Sequence, residues 1–371
     1  MRIVRLANFV TARSGGLRTA LRELGEGYTA AGHDTVLIVP GDSYTDEVSA
    51  QGRVITLPGP VVPFTGGYRV LLRKRPVRRL LEELAPDRLE VSDRFTLRWT
   101  GRWARERAIP SVMVSHESLA GLLGAIGMSR LADPLNARSA ASYDTVLCTT
   151  AWAGREFARL GAENLVRVPL GVDLEVFHPR RRDPDLRLRY ASPDTVLLVH
   201  CGRLSSEKRP DRSIEALRAL RAEGVPAVLV VAGDGPLRDR LERDAGDLPV
   251  RFERFIPDRH HVAALLATAD VVLAPGPIET FGLAALEALA SGSPVVVDRT
   301  SALPEVIGDA GVATDGADLA SGVRELLARP EAARRAAARA RAERYGWPAA
   351  VEGFLTVHGA TVGLRALGRS I

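Results

Sequence analysis

TVLLVHCGRLSSEKRP, residues 195–210, decides the fold. Its first half is an apolar, β-branched run, short enough for a strand and apolar enough to be covered on both faces. Gly202 then lets the chain turn, and the charged second half opens a helix. The stretch also holds Lys208. The chain has only two lysines, Lys74 and Lys208, beside 48 arginines. Arg is a planar fork and Lys a compact point charge on a thin stem. Two readings of Lys208 stay open: a site beside Arg203 too narrow for a second guanidinium, where a point charge meets an anion, or an ordinary helix-start residue.

The strand–turn–helix unit recurs in both directions from this stretch. Toward the N-terminus the strand candidates are 2–7, 35–40, 53–58, 87–92, 111–116, 144–149 and 165–169, with helical spacing at 17–32 and 78–85. Toward the C-terminus they are 227–235, 250–257, 270–276 and 294–298. The alternation predicts parallel sheets with helices on both faces. Residues 176–194 are rich in charge and Pro and read as a linker. The expected organisation is a Rossmann-like domain over 1–175, a linker over 176–194, a second Rossmann-like domain over 195–345, and a C-terminal helix within 346–371 packing back toward the first domain. Ligands of doubly wound sheets bind at strand carboxyl ends, so two such domains facing each other would form a cleft.

A chain of 371 residues suits two domains, and 46% hydrophobic content with a mean hydropathy of zero fits a globular protein. No apolar run approaches the roughly 20 residues needed to span a bilayer. The N-terminus is too short and charged for a signal peptide. Cys148 and Cys201 lie far apart in apolar runs, which argues against a disulfide framework or metal cluster and fits a reducing cytoplasm. The net charge of +5 is uneven, +7 over residues 1–190 and −2 over 191–371. Part of the excess is RKRPVRR, 73–79, which follows an apolar stretch containing Phe64 and Tyr68. Arg73, Lys74, Arg75, Arg78 and Arg79 form either a contact with anionic lipid or a solvated basic helix face. No nucleic-acid motif accompanies them.

Candidate site residues come from the strand ends. Gly15 and Gly16 open a helix after the first strand and would present backbone N–H groups to an anion or hydroxyl; a tight turn alone would also need Gly. The loop after 195–201 can bring Arg203 and Lys208 to one point. GDGP, 233–236, reads as a structural turn, and the loop around Ile256 as a candidate for the edge of a base. PIETFGLAALEALASGSPVVV, 277–297, carries most information. Thr280 and Gly282 open a helix whose N–H groups can face a phosphate. Glu287 is the only charge between Glu279 and Asp298, and a lone carboxylate on an apolar helix needs hydrogen-bonding partners if buried. His116 and Glu117 stand at another strand end. The DPD at 183–185 lies in the linker, away from every strand end, and is read as chance.

Together these residues resemble the retaining glycosyltransferases of family 4, which have the GT-B fold. GRLSSEK followed about seventy residues later by ETFGLAALE matches that family's phosphate pair and its E-x7-E motif, Glu279 to Glu287. SGG at 14–16, HE at 116–117 and PLGVDLEVFHP at 169–179 match its other signatures. RSGGLRTAL, FTGGYR and APGPIETFGLAALE are further similar to the actinobacterial GDP-mannose-dependent α-mannosyltransferases. The resemblance implies that Arg203 and Lys208 bind the donor diphosphate. It places Gly15 and Gly16 near the distal phosphate or acceptor. Glu279 with the backbone of Phe281, Gly282 and Leu283 would hold sugar hydroxyls and phosphate. Glu287 would take the ribose, Ile256 would lie near the base and His116 by the transferred sugar, making His116 and Glu279 the residues at the chemistry. Phe255 stands where a Gly is usual.

The expected activity is transfer of a hexose, mannose from GDP-mannose, to an acceptor hydroxyl, with a lipid-linked acceptor at the inner membrane face. No metal or other cofactor is expected, because the two cations compensate the diphosphate. The competing readings are a UDP-sugar donor with a soluble thiol, sugar phosphate or natural-product acceptor, a nucleotide-sugar epimerase or phosphorylase on the same fold, and a binding module on anionic membranes. A cytoplasmic protein, peripheral on the inner face of the plasma membrane, is the expected location.

Overall fold

The structure, a computed structural model, describes residues 1–10, 15–62, 67–124 and 127–359. Ser14, Phe64 and the segment 360–371 lie outside the described residues. The chain divides into two compact units, Met1–Leu170 with Trp347–Ile371, and Gly171–Gly346.

In the first unit the strands are β1 (Arg2–Ala7), β2 (Asp34–Gly41), β3 (Thr45–Ser49), β4 (Gly52–Pro58), β5 (Arg88–Ser92), β6 (Ser111–Ser115), β7 (Thr145–Cys148) and β8 (Leu165–Arg167). They form one sheet in the order β3-β4-β2-β1-β5-β6-β7-β8, parallel except for β3 against β4. The inner parallel strands β1, β2, β5, β6 and β7 are buried on both faces because helices such as Gly16–Ala30 and Lys74–Leu84 lay their apolar stripes on the sheet. β3 escapes the sequence reading. TDEVS is polar and almost wholly exposed, as an edge strand must be to resist pairing with another chain.

The second unit holds β9 (Val196–Cys201), β10 (Ala227–Ala232), β11 (Val250–Glu253), β12 (Val271–Ala274), β13 (Val295–Asp298) and β14 (Val312–Thr314). All pairings are parallel, in the order β11-β10-β9-β12-β13-β14. This is the doubly wound order in which the chain works outward on one side of the first strand and then on the other. The reversal leaves a crevice at the carboxyl ends of β9 and β12; the first sheet has the same reversal at β1 and β5.

Residues 176–194 are not a bare linker. They contain a 3-10 turn, Pro179–Arg181, and a helix, Pro184–Tyr190, within the second unit. The charge and Pro that suggested a linker start and fasten this helix. Asp183 caps it, accepting from Asp185 N at 2.9 Å and Leu186 N at 3.0 Å, and Arg187 donates to Asp270 at 2.7 Å and to the Thr195 carbonyl at 2.7 Å. The division between units accordingly falls after Leu170 rather than at 175.

The tail contains the helices Glu331–Ala342, in the second unit, and Trp347–Val357, in the first. The second packs on the helix Gly16–Ala30, where a Cβ on Gly27 would lie 2.3 Å from Val351. Its exit is fastened by a buried cluster. Glu90 accepts from Arg5 Nε at 2.8 Å and Tyr28 Oη at 2.8 Å, and lies 3.0 Å from His358 Nε2. Burial alone would raise the Glu90 carboxyl. The Arg5 guanidinium and the bond with His358 overturn that and hold it well below the ordinary carboxylate range. Its contribution to stability is therefore present above the unfolded-state value near 4.5 and is lost as pH falls below it. Glu90→Gln should cost about 3 kcal/mol at pH 7. In denaturant titrations the gap between the two proteins should narrow steadily below about pH 4. A gap that does not change with pH would show that packing, not charge, holds the cluster.

Candidate functional site

The crevice of the second sheet is built on the loop after β9. Two glycines from the loop after β10 brace it. Gly202 N donates to Ala232 O at 3.0 Å, Leu204 N to Asp234 O at 3.0 Å, and Leu237 N to Leu204 O at 3.0 Å. A Cβ on Gly233 would lie 1.9 Å from the Gly202 carbonyl oxygen, and one on Gly235 2.4 Å from that of Leu204. GDGP, read from the sequence only as a structural turn, thus also supports GRL. The loop ends at Arg209, whose φ of +49° is a left-handed conformation just before Pro210. Such backbone costs of order 1 kcal/mol or more and persists only where its surroundings hold it. Here Asp211 grips the Arg209 side chain at 2.7 Å, and Lys208 N donates to Ser205 O at 3.1 Å.

Across the crevice, Pro275 and Gly276 follow β12. The approach is tight: a Cβ on Gly276 would sit 3.1 Å from Glu207 O and 3.3 Å from Lys208 Cα. The close approach lets Lys208 Nζ form an ion pair with Glu279. Arg212 secures this edge by donating to Pro275 O at 3.2 Å and pairing with Asp298 at the end of β13. Ala302 N donates to Glu279 O at 2.9 Å. Gly282, at φ +79°, starts the helix Leu283–Ala290. Phe281 is buried and meets Tyr345 edge-on at 6.1 Å, so it offers the crevice its backbone.

Glu287 stands on the second turn of that helix, half-buried between buried Leu286 and Ala288. Burial and the Glu287 carboxylate together push the Cys201 thiol, at the end of β9, up to about 12 and keep it protonated. Burial and the Lys208 charge hold His200, also on β9, down to about 4, so it remains neutral at pH 7. Arg203 is half-buried on the same loop as Lys208, and Ile256 is half-buried after β11 beside Phe255, which is 43% exposed.

In the first unit, His116 follows β6 and lies 3.1 Å from Ser92 Oγ at the end of β5. Burial holds its imidazole down to about 4, so it is a neutral hydrogen-bonding group at pH 7 rather than a cation. The loop carrying it rests on a buried pair that sequence reasoning missed. Arg94 donates to Glu117 O at 2.5 Å and to Asn136 at 3.0 Å, and it pairs with Glu156 at 3.3 Å. Glu156 in turn accepts from Leu119 N at 3.1 Å and Ala120 N at 3.2 Å. Asn8, just after β1, was missed as well. It donates to Asp93 at 3.0 Å and Thr96 at 2.7 Å and accepts from Leu71 N at 2.8 Å. The available signal was position: Asn8 and Asp93 each follow a strand at the reversal of the sheet. Gly15 and Gly16 are exposed at the start of the helix Gly16–Ala30.

Among the described residues no cluster of His, Cys, Asp or Glu could hold a metal ion. No helix among them is long and apolar enough to cross a membrane.

Two families match. The one described as glycosyl transferases group 1 covers residues 187–343, and the one described as glycosyl transferase 4-like domain covers 15–171. A Mycobacterium tuberculosis protein (strain ATCC 25177 / H37Ra) is 55% identical over 368 residues, 97% of this chain and 96% of its own. It is described as a GDP-mannose-dependent alpha-(1-6)-phosphatidylinositol dimannoside mannosyltransferase. The glycogen synthase of Mycobacterium tuberculosis (strain CDC 1551 / Oshkosh) is 30% identical over 364 residues, 88% of this chain and 86% of its own. Among solved structures, sucrose-phosphate synthase from Thermosynechococcus elongatus matches with a TM-score of 0.76 at 20% identity, covering 97% of this chain and 98% of that one. WaaG, a glycosyltransferase involved in lipopolysaccharide biosynthesis, matches with a TM-score of 0.69 at 20% identity over 97% and 100% of the two chains. At these identities the structures speak for the fold alone. With both domain families matched in order and a relative sharing more than half its residues end to end, the chain belongs to the family 4 glycosyltransferases of the GT-B fold.

Proposed function

We propose that this chain transfers mannose from GDP-mannose, in α-(1→6) linkage, to a phosphatidylinositol mannoside. The observation that carries the reading is the full-length 55% identity to the mycobacterial mannosyltransferase. The crevice at β9 and β12 supplies suitable chemistry.

The ammonium of Lys208 has three N–H donors, and the Glu279 carboxylate is one of its partners. Its positive charge at the strand end suits a phosphate. Arg203 on the same loop adds a second positive charge, and both compensate the diphosphate as it leaves. Glu279 then accepts from sugar hydroxyls, Glu287 from the ribose, and the backbone of Phe281, Gly282 and Leu283 meets phosphate and sugar. Ile256 lies against the base. From the first unit, neutral His116 hydrogen-bonds the transferred sugar, and Gly15 and Gly16 offer N–H groups to the distal phosphate or acceptor. The acceptor hydroxyl attacks the anomeric carbon as its bond to the phosphate oxygen breaks. Attack on the face that the diphosphate leaves retains the α configuration, and a leaving phosphate oxygen takes the acceptor proton. The cations do the work a metal would otherwise do, so transfer should continue in EDTA.

A lipid-linked acceptor requires reaching a membrane surface. Arg73, Lys74, Arg75, Arg78 and Arg79 are all exposed at one end of the helix Lys74–Leu84, beside Leu72, which is 60% exposed. The opposite face of this helix buries Val77, Leu80, Leu81 and Leu84, which leaves the basic face for anionic lipid. We place the enzyme peripherally on the cytoplasmic face of the plasma membrane.

Calorimetric titration with GDP, UDP and ADP in EDTA should show tight binding of GDP alone. Tight UDP binding would replace the donor. Lys208→Ala should lower kcat/KM by about two to three orders of magnitude with an unchanged circular dichroism spectrum. Glu287→Ala should chiefly weaken GDP, by about tenfold or more. Unaltered kinetics in the first variant would refute the phosphate role, and an unaltered GDP affinity in the second the ribose role. Changing all five basic residues to Gln should weaken binding to anionic vesicles by about two to three orders of magnitude, and equal binding would end the lipid-surface reading.

A further inference from the structure

Ile256 alone would give the donor's base an apolar contact, and an apolar contact cannot tell one base from another. The end of β11 carries more. Arg254 directly follows that strand and is exposed. Among the described residues it has no hydrogen bond, ion pair or ring contact. The acids nearest to it in the chain are engaged elsewhere: Glu253 accepts from Tyr190 Oη at 2.7 Å, and Asp258 from His260 N at 2.9 Å. Arg299, which directly follows β13 in the same sheet, is by contrast paired with Asp315 at 3.1 Å.

The backbone that carries Arg254 is held. Arg238 donates to Glu253 O at 3.0 Å and to Gly233 O at 3.2 Å, and Gly233 N donates to Glu253 O at 3.4 Å. Gly233 in turn lies against Gly202. The carboxyl ends of β9, β10 and β11 are therefore tied side by side. Neighbouring strands lie about 4.8 Å apart, so Arg254 stands roughly 10 Å across the sheet from the end of β9. The loop after β9 carries Arg203 and Lys208. An extended nucleoside diphosphate with its phosphates at that loop can lay its base at the end of β11. Phe255, 43% exposed, and half-buried Ile256 offer apolar faces to a flat ring there.

A guanidinium presents two parallel N–H donors. Guanine sets two acceptors, N7 and O6, side by side on one edge, whereas adenine sets a donor beside its N7 and uracil has no such pair. We propose that Arg254 donates to N7 and O6 of guanine and so selects the base of the donor. The proposal rests on the GDP-mannose reading and deepens it by naming the side chain that sets the preference.

The test is calorimetry on the full chain with GDP, with 7-deaza-GDP, in which a C–H replaces N7, and with UDP. The unsubstituted chain should bind GDP about tenfold more tightly than 7-deaza-GDP. Arg254→Met, which cannot donate, should weaken GDP by about tenfold or more and bind the two guanine nucleotides equally. UDP should lose less, so the preference for GDP over UDP should narrow. Arg254→Ala serves if Arg254→Met does not fold. Equal binding of GDP and 7-deaza-GDP by the unsubstituted chain would overturn the proposal. So would a difference between them that survives in Arg254→Met, or an equal loss for GDP and UDP, which would leave Arg254 only a general charge. The two readings fail separately. If the guanine contact is found but no mannose leaves GDP-mannose, the transfer reading falls and the contact stands. If mannose is transferred and Arg254→Met keeps the KM for GDP-mannose, the contact falls and the transfer reading stands.

Discussion

Glu90 is 1% exposed on β5, and a carboxylate so placed would cost several kcal/mol without partners. Its partners come from residues far apart in the chain: Arg5 on β1, Tyr28 near the end of the first long helix, and His358 beyond the last described one. The first unit therefore cannot complete its interior until the chain has run through the whole second unit and returned. Arg88 reinforces the return by donating to His358 O at 2.6 Å. The second unit is closed differently. There, helix Glu331–Ala342 uses Arg335 and Arg339 to take up carbonyl oxygens at helix ends, with Arg335 donating to Ala269 O at 2.7 Å and Arg339 to Ala290 O at 3.0 Å. Planar five-donor guanidiniums suit that work, and it accounts for part of the chain's preference for Arg.

Set beside these, the Lys208–Glu279 pair is unlike the structural ones. Arg5–Glu90 is 1% exposed on both sides and Arg94–Glu156 only 4% and 10%, whereas Lys208 and Glu279 are 35% and 18% exposed. Breaking a fully buried pair leaves an uncompensated charge in low dielectric; a half-open pair can exchange partners with an incoming ligand. The crevice thus combines a frame made by Arg212, Asp298 and the Gly233–Gly202 contact with the half-exposed Lys208–Glu279 pair. His200 on β9, held neutral by burial and by the Lys208 charge, adds no positive charge of its own.

Much of the fold was legible because parallel strands covered on both faces must be written as unbroken β-branched runs. VLLVHC, AVLVVA and VVVD announce themselves in this way. TDEVS did not, because an edge strand is selected for charge, nor did VAT, three residues long. The linker reading of 176–194 failed because a capped, ion-paired helix and a solvated loop share a composition; only Asp183 and Arg187 finding their partners separates them. The candidate crevice was legible to the same degree as its strand ends. Lys208, Glu279 and Glu287 each broke a local pattern, whereas Arg94 and Glu156 looked like any surface arginine and glutamate until the fold buried them.

By itself the sequence determined the number and kind of sheets, the strand ends at which a ligand site could form, and, through motif resemblance, the family. These depend on local periodicity and on which residue types stand at a turn. The tertiary structure alone decided that Lys208 meets Glu279, that Gly233 is a brace, that His116 is neutral, and that the chain's end belongs with its beginning. Each of those follows from burial and from partners remote in sequence, and no window along the chain contains both members of such a pair.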